Sequence, residues 1–256
     1  LGDSHAALFA HRCVEPYTAK VTYGTGSSIM MNAGTRRPEP GEGIVASLAW
    51  GCGGTVVYCL EGNINYTGAV ITWLVQDMKL LTTPSQAGTV SAALPDNDGV
   101  YLVPAFSGLG APYFDSNARA AIVGMSRGAT PAHIVRAAEE CIAYQIRDVV
   151  CAMEKAAGRE LAMLCADGGP TRDAFLMQFQ ADILGVPLHV SSTEELSGAG
   201  AAYCAALAGR FTDERRLFGN RCHHTIRPKM SEEVCRKNLK GWHSAVRAAS
   251  IAEEIH

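Results

Sequence analysis

Apolar and polar positions along the chain follow two periods. Through 19–34 they come in short runs, Lys20-Val21-Thr22-Tyr23 and Ser28-Ile29-Met30-Met31-Asn32, split by the turn Gly24-Thr25-Gly26. Runs of that length punctuated by glycine predict a β-hairpin. A second strand pair is expected over 44–50 and 55–60, around Gly51-Cys52-Gly53-Gly54. The first third therefore reads as antiparallel sheet. Beyond it the spacing lengthens, and Val70, Ile71, Leu74 and Met78 recur at helical intervals up to Leu80. A polar connector over 84–98 leads to strands at 101–105 and 120–125. The strongest helical signal starts at Thr130, an N-cap followed by Pro131. It continues through Val135, Ala138, Ile142, Ile146, Val149 and Met153 to a stop at Gly158. Strand 161–166, helix 171–184, strand 187–191 and helix 196–208 then alternate, which predicts parallel strands with helical crossovers. A short helix over 6–11 and a weakly patterned tail ending in a helix over 242–255 complete the reading.

Composition narrows the class. With 256 residues, 48% hydrophobic and 18% charged, the chain has the balance of a soluble globular protein. Its 22 basic and 25 acidic residues give a net charge of −3, and no basic block marks a nucleic-acid or membrane-surface patch. The nine cysteines, at 13, 52, 59, 141, 151, 165, 204, 222 and 235, form no Cys-x-x-Cys pair and no zinc-type spacing. They read as reduced, mostly buried thiols of a cytoplasmic protein. No apolar run approaches the roughly 18 residues of a membrane helix. The opening Leu1-Gly2-Asp3-Ser4-His5 has no initiator Met and starts inside a loop, so a segment upstream is expected.

Three glycine turns are candidates for holding phosphate, because glycine lets backbone N–H groups approach an anion closely. They are Tyr23-Gly24-Thr25-Gly26-Ser27-Ser28, Tyr66-Thr67-Gly68-Ala69 and Asp167-Gly168-Gly169-Pro170-Thr171. The last two precede helices, whose first amides favour an anion. Each alone also reads as an ordinary turn. No Gly-Lys pair and no Gly-x-Gly-x-x-Gly occurs, which excludes a P-loop and the dinucleotide and protein-kinase glycine loops. Gly124-Met125-Ser126-Arg127-Gly128 matches a serine-hydrolase elbow, with Asp167 and His189 or His223 following in order. However, Thr130-Pro131 starts the next helix too late for an elbow. Asp3 reads either as a helix N-cap or as a carboxylate able to accept a hydroxyl proton.

Taken in order, several segments resemble the FGGY carbohydrate kinases, most of all the glycerol kinases and related polyol and pentulose kinases. They are Gly2-Asp3-Ser4-His5-Ala6-Ala7-Leu8, Tyr23-Gly24-Thr25-Gly26, Leu60-Glu61-Gly62, Pro104-Ala105-Phe106-Ser107-Gly108-Leu109-Gly110-Ala111-Pro112-Tyr113, Ile142-Ala143-Tyr144-Gln145, Asp167-Gly168-Gly169 and Gly198-Ala199-Gly200-Ala201. The similarity covers about 1–211. A second family signature runs from Ala120 through Gly124 and His133 to Glu140, and Glu139 stands in it where an apolar residue is expected.

The resemblance implies an α/β lobe of ribonuclease-H-like type, as in actin, hexokinase and Hsp70, with a mixed sheet flanked by helices. On that reading 1–211 is the C-terminal, nucleotide-binding lobe, 212–256 a helical tail on the same domain, and the N-terminal lobe is absent. It implies phosphoryl transfer from ATP, with Mg2+, to a hydroxyl of a sugar, sugar acid or polyol. Asp3 matches the catalytic base and a magnesium contact through water, and Ser4 a substrate contact. Gly24, Thr25 and Gly26 match the loop at the transferred phosphoryl group, and Gly68, Gly168 and Gly169 match nucleotide contacts. Thr72 and Asp173 stand at nucleotide positions where glycerol kinases have Gln and Asn. Ser28 replaces a Phe that packs on the substrate, which predicts a wider, more polar pocket. Expected partners are the small-molecule substrate, the chain's own N-terminal lobe and further copies in a homo-oligomer. The alternative is a non-catalytic nucleotide-binding or interaction module.

Overall fold

A computed structural model describes residues 1–52, 54–193, 195–213, 216–217 and 223–251. The hairpin forms as β1 (Ala19–Tyr23) and β2 (Ser27–Gly34), and the second pair as β3 (Val45–Cys52) and β4 (Thr55–Ile64). β4 adds to the far side of β2, so this half is antiparallel throughout. Gly53, expected between the two strands, lies outside the described residues. Strands β5 (Tyr101–Val103) and β6 (Ala121–Val123) leave the main sheet and pair only with each other. β7 (Leu164–Gly168) and β8 (Leu188–Ser191) then extend the main sheet in parallel from β1, and β9 (His223–Ile226) closes it antiparallel. The result is a seven-stranded mixed sheet of order β3-β4-β2-β1-β7-β8-β9.

Helices cover this sheet: α1 (Asp3–Ala10), α2 (Gly68–Gln76), α3 (Ala87–Ala92), α4 (Pro131–Ala157), α5 (Ala174–Leu184), α6 (Leu196–Ala208) and α7 (Glu232–Ile251). No described helix is long and apolar enough to cross a membrane. α4 is 27 residues long, about 40 Å at 1.5 Å per residue. Its start is set by Pro131 after Thr130, whose N–H donates to His133 Nδ1 at 3.0 Å, and its end by Gly158 at φ 63°. α1 packs on α6, and Gly200 makes this possible because a Cβ there would collide with the Ala6 carbonyl.

Several boundaries differ from the expectations, each for a local reason. The helix expected to reach Leu80 stops at Gln76, because the Leu80 N–H turns back to the Leu74 carbonyl with Lys79 at φ 55°. The connector over 84–98 holds α3, which few of its residues favour. Gln86 Oε1 accepts from both Thr82 and Thr83 N–H just ahead of it, and burial of Ala87, Gly88 and Ser91 fixes the rest. The strand expected from 161 starts at Leu164, since Glu154 Oε1 holds the Leu161 N–H at 2.8 Å against the end of α4. The helix expected from 171 starts at Ala174 after a 3-10 turn, because Asp173 caps it by accepting from Leu176 N–H at 3.0 Å. The helix expected over 6–11 starts at Asp3. The tail carries β9 as well as α7, which begins at Glu232; residues 252–256 lie outside the described residues.

α7 is anchored through one buried carboxylate on α4. Asp148 accepts from Trp242 Nε1 at 2.6 Å and Tyr113 OH at 2.8 Å, and lies 3.0 Å from His243 Nε2. Trp242 is fully buried and stacks on Tyr144 with centroids 5.3 Å apart. Removing the carboxylate strands the buried Trp242 N–H and releases the exposed Tyr113 and His243. Asp148→Ala is expected to lower stability by about 3 kcal/mol, read from the urea midpoint; a loss below about 0.5 kcal/mol would show the anchor to be dispensable.

Candidate active site

The site is assembled by strand register. β1 and β7 run parallel with Tyr23 opposite Gly168, so the loops that follow them leave the sheet side by side. Gly168 sits at φ 100°, and a Cβ there would collide with the Tyr23 carbonyl. The turn at Gly68 is tied to the one at Gly24: Gly68 N–H donates to Gly24 O at 2.9 Å, and Thr67 and Ala69 N–H donate to Thr25 O at 2.9 and 3.0 Å. These amides at the start of α2 are thus already used, unlike the open helix terminus the sequence suggested.

The three turns converge on a cavity of about 520 Å³, within the range of small-molecule sites. Gly24, Thr25, Gly68, Thr72, Gly169 and Asp173 line it, beside the apolar Ile71, Ile142 and Leu176. Gly26 and Gly168 are not on its wall. A Cβ on Gly26 would collide with the Ile64 carbonyl, so close packing of backbone accounts for both glycines. Thr72 Oγ1 donates to Gly68 O at 2.9 Å, and Asp173 serves as the cap of α5. A shallower pocket beside it, about 320 Å³, is lined by Thr22, Gly24, Gly26, Ser27, Ser28 and Asn63.

Asp3 is exposed and is not the N-cap; Gly2 takes that position, and Asp3 Oδ1 accepts from Ser4 N–H at 2.7 Å. Next to it on α1, His5 Nε2 lies 3.3 Å from Glu61 Oε1, and Ser47 Oγ donates to the same oxygen. With Cys59 these side chains bring donor atoms within 4.8 Å of one another. No spacing in the sequence could show that grouping, because it joins α1 to β4.

Behind the loops lies a buried polar chain that the sequence reading missed. Lys20 Nζ donates to Thr22 Oγ1 at 2.9 Å, Thr22 Oγ1 donates to Asp167 Oδ1 at 2.8 Å, and His11 Nε2 is 3.2 Å from the same carboxylate oxygen. Burial pulls the Lys20 ammonium down to about 8, against the upward pull of Asp167, Cys13, Asp3 and Glu61. For His11, burial acts downward, but Asp167 and the Cys165 thiol outweigh it and raise the imidazole. The signal available was a lysine inside an otherwise apolar strand beside a glycine turn.

Glu139, where an apolar residue was expected, is only 2% exposed and lies on the cavity wall. Its Oε2 has no hydrogen-bond partner among the described residues. Arg136, one turn earlier, is committed to Glu140 at 2.7 Å and to the Ser91 and Leu94 carbonyls. Burial, and then the Asp173 charge, push the Glu139 carboxyl well above the ordinary carboxylate range.

The hydrolase arrangement is not formed. Ser126 Oγ donates to Asp98 Oδ2 at 3.0 Å, Asp167 is engaged with Thr22 and His11, and His189 stacks on His223.

Known proteins share much of this sequence and its fold. Residues 19–209 match the sequence profile of the FGGY family of carbohydrate kinases, C-terminal domain. A glycerol kinase of Carboxydothermus hydrogenoformans is 46% identical over 250 residues, 97% of this chain and 50% of that protein. One from Caldanaerobacter subterraneus subsp. tengcongensis is 45% identical over 256 residues, 99% of this chain and 52% of its own length. The chain thus spans about half the length of the curated relatives it matches. Among solved structures, Plasmodium falciparum glycerol kinase with ADP superposes with a TM-score of 0.91 at 32% identity, over 97% of this chain and 50% of that one. Gluconate kinase of Lactobacillus acidophilus, at 19% identity and a TM-score of 0.83 over 97% of this chain and 50% of that one, shares the fold.

The Glu139 environment has a measurable pH signature. The folded chain holds this proton more tightly than the unfolded chain does. Its contribution is therefore complete below about 4.5 and is lost as pH rises through the raised value. Glu139→Leu is expected to gain more stability over the native chain at pH 8 than at pH 5. Urea unfolding at the two pH values checks this, and an equal gain at both would contradict it.

Proposed function

Because the chain belongs to the FGGY family of carbohydrate kinases, we propose that it is the nucleotide-holding half of an ATP-dependent kinase acting on a hydroxyl of glycerol or a related polyol or sugar. The observation that carries this reading is the convergence of three glycine turns, from the ends of β1 and β7 and the start of α2, on one cavity. The Plasmodium relative solved with ADP supports assigning that cavity to the nucleotide. Cysteines 13, 59, 141, 151, 165 and 235 form no disulfide among the described residues, in keeping with a reducing cytoplasm.

Phosphoryl transfer asks a protein mainly to position the reactants and stabilise charge. Asp3 is the base: with Oδ1 held by the Ser4 N–H, its carboxylate accepts the acceptor's hydroxyl proton as that oxygen attacks the γ-phosphorus and ADP leaves. Ser4 orients the acceptor. Thr25 contacts the transferred group, while Gly68, Thr72, Gly169 and Asp173 frame the nucleotide. Magnesium takes oxygen ligands and keeps several waters, and the exposed Asp3 carboxylate fits a water-mediated hold on it. The ion supplies neutralisation of phosphate charge. Ser28, on the shallow pocket beside the cavity, leaves room for an acceptor longer than glycerol.

The chain co-expressed with the N-terminal half of the Carboxydothermus relative is expected to release ADP from ATP with a polyol present. Asp3→Asn is expected to lower kcat by about 1,000-fold while ADP still binds. Turnover unaffected by Asp3→Asn would remove Asp3 as the base, and none with any acceptor despite ADP binding removes the kinase assignment in favour of a binding module. Ser28→Phe is expected to shift kcat/KM toward glycerol over four- to six-carbon acceptors by about 10-fold or more; an unchanged ratio would remove Ser28 as a selector.

A further inference from the structure

A buried carboxyl group without a partner is costly unless something completes it. Glu139 is such a group: it is 2% exposed, Oε2 is unpaired among the described residues, and it opens onto the cavity with Ile142 one turn along α4. Packing does not explain it, because an apolar side chain would suit the neighbouring Ile71, Ile142 and Leu176 better. Nor does a salt bridge, since Arg136 is spent on Glu140. The charged residues that share the cavity wall with it are Asp173, engaged as the cap of α5, and Arg172. The glycine turns give the cavity backbone for phosphate, while the apolar wall near Glu139 offers flat faces for a ring.

We propose that Glu139 reads the purine base of the bound nucleotide and selects adenine over guanine. This inference rests on the nucleotide reading of the cavity given above. A protonated carboxyl presents one O–H donor beside one C=O acceptor. Adenine offers the matching pair along its pairing edge, the N1 acceptor and the N6 amino donor. Guanine reverses the pair, with the O6 acceptor where adenine has its amino donor and the N1–H donor where adenine N1 accepts, so a carboxyl seated with its C=O toward N6 and its O–H toward N1 opposes both. Burial and the Asp173 charge favour the protonated form of Glu139, which sets a donor beside an acceptor. A site that hydrogen-bonds one partner discriminates strongly against another that leaves its buried groups unpaired.

Glutamine keeps the side-by-side donor and acceptor without a titrating proton, whereas leucine fills the same space with neither. The whole 256-residue chain and its Glu139→Gln and Glu139→Leu variants would be titrated calorimetrically with ADP, GDP and inorganic tripolyphosphate, each variant first checked for a cooperative thermal transition. The native chain is expected to bind ADP at least tenfold more tightly than GDP, and Glu139→Gln to keep that ratio within threefold. Glu139→Leu is expected to weaken ADP about tenfold and close the gap to GDP, with tripolyphosphate affinity unchanged in all three. An unaltered ADP-to-GDP ratio in Glu139→Leu overturns the role of Glu139 and leaves the nucleotide cavity standing. Absence of binding by any of the three ligands to the native chain overturns the nucleotide reading, and this inference with it.

Discussion

Parallel pairing of β1 with β7 is the constraint on which the site depends. With Tyr23 opposite Gly168, the two strands end together and release two glycine turns at one edge of the sheet. A one-residue slip would turn Gly168 away from the Tyr23 carbonyl and put a side chain into that contact. The hydrogen bonds from Thr67, Gly68 and Ala69 to the Gly24-Thr25 loop then bring α2 to the same place. The cavity is therefore a consequence of register, and the buried Lys20, Thr22 and Asp167 chain lies across the same two strands. Lys20 donates to Thr22 and to the Ser28 carbonyl, and Thr22 to Asp167, which is what allows a lysine and an aspartate to sit in the sheet interior.

Much of this was legible in the chain itself. The hairpin, the long helix from Pro131 and the closing alternation of strand and helix follow from residue period and from Thr130, Pro131 and Gly158 acting as stop and start signals. What was not legible was set by partners distant in sequence. α3 forms in a stretch with Gly, Thr, Val and Ser because its buried face meets α4 and α5. β5 and β6 read as strands but not as strands of a separate sheet, since nothing in a single strand names its neighbour. Of the named site residues, the cavity unites Gly24, Thr25, Gly68, Thr72, Gly169 and Asp173, and leaves Gly26 and Gly168 to backbone packing. His5, Cys59 and Glu61 meet only because α1 folds over β3 and β4.

Places where a sequence breaks its own local rule tend to be functional. Glu139 breaks the apolar face of α4 with its Oε2 unpartnered among the described residues, whereas Glu140 next to it is satisfied by Arg136, Asn97 and Tyr144. Adjacent acids on one helix thus differ in kind, one being a closed structural contact and the other an open group at a binding surface.

α4 carries both the wall of the cavity, through Glu139 and Ile142, and the anchor of the last helix, through Asp148. Those positions are nine residues apart on one rigid rod, about 13 Å at 1.5 Å per residue. A shift of the rod that improves one end is felt at the other, so the segment answers to two requirements at once. In evolutionary terms this narrows the freedom of α4 to drift: a substitution near either position passes only if binding and folding both tolerate it.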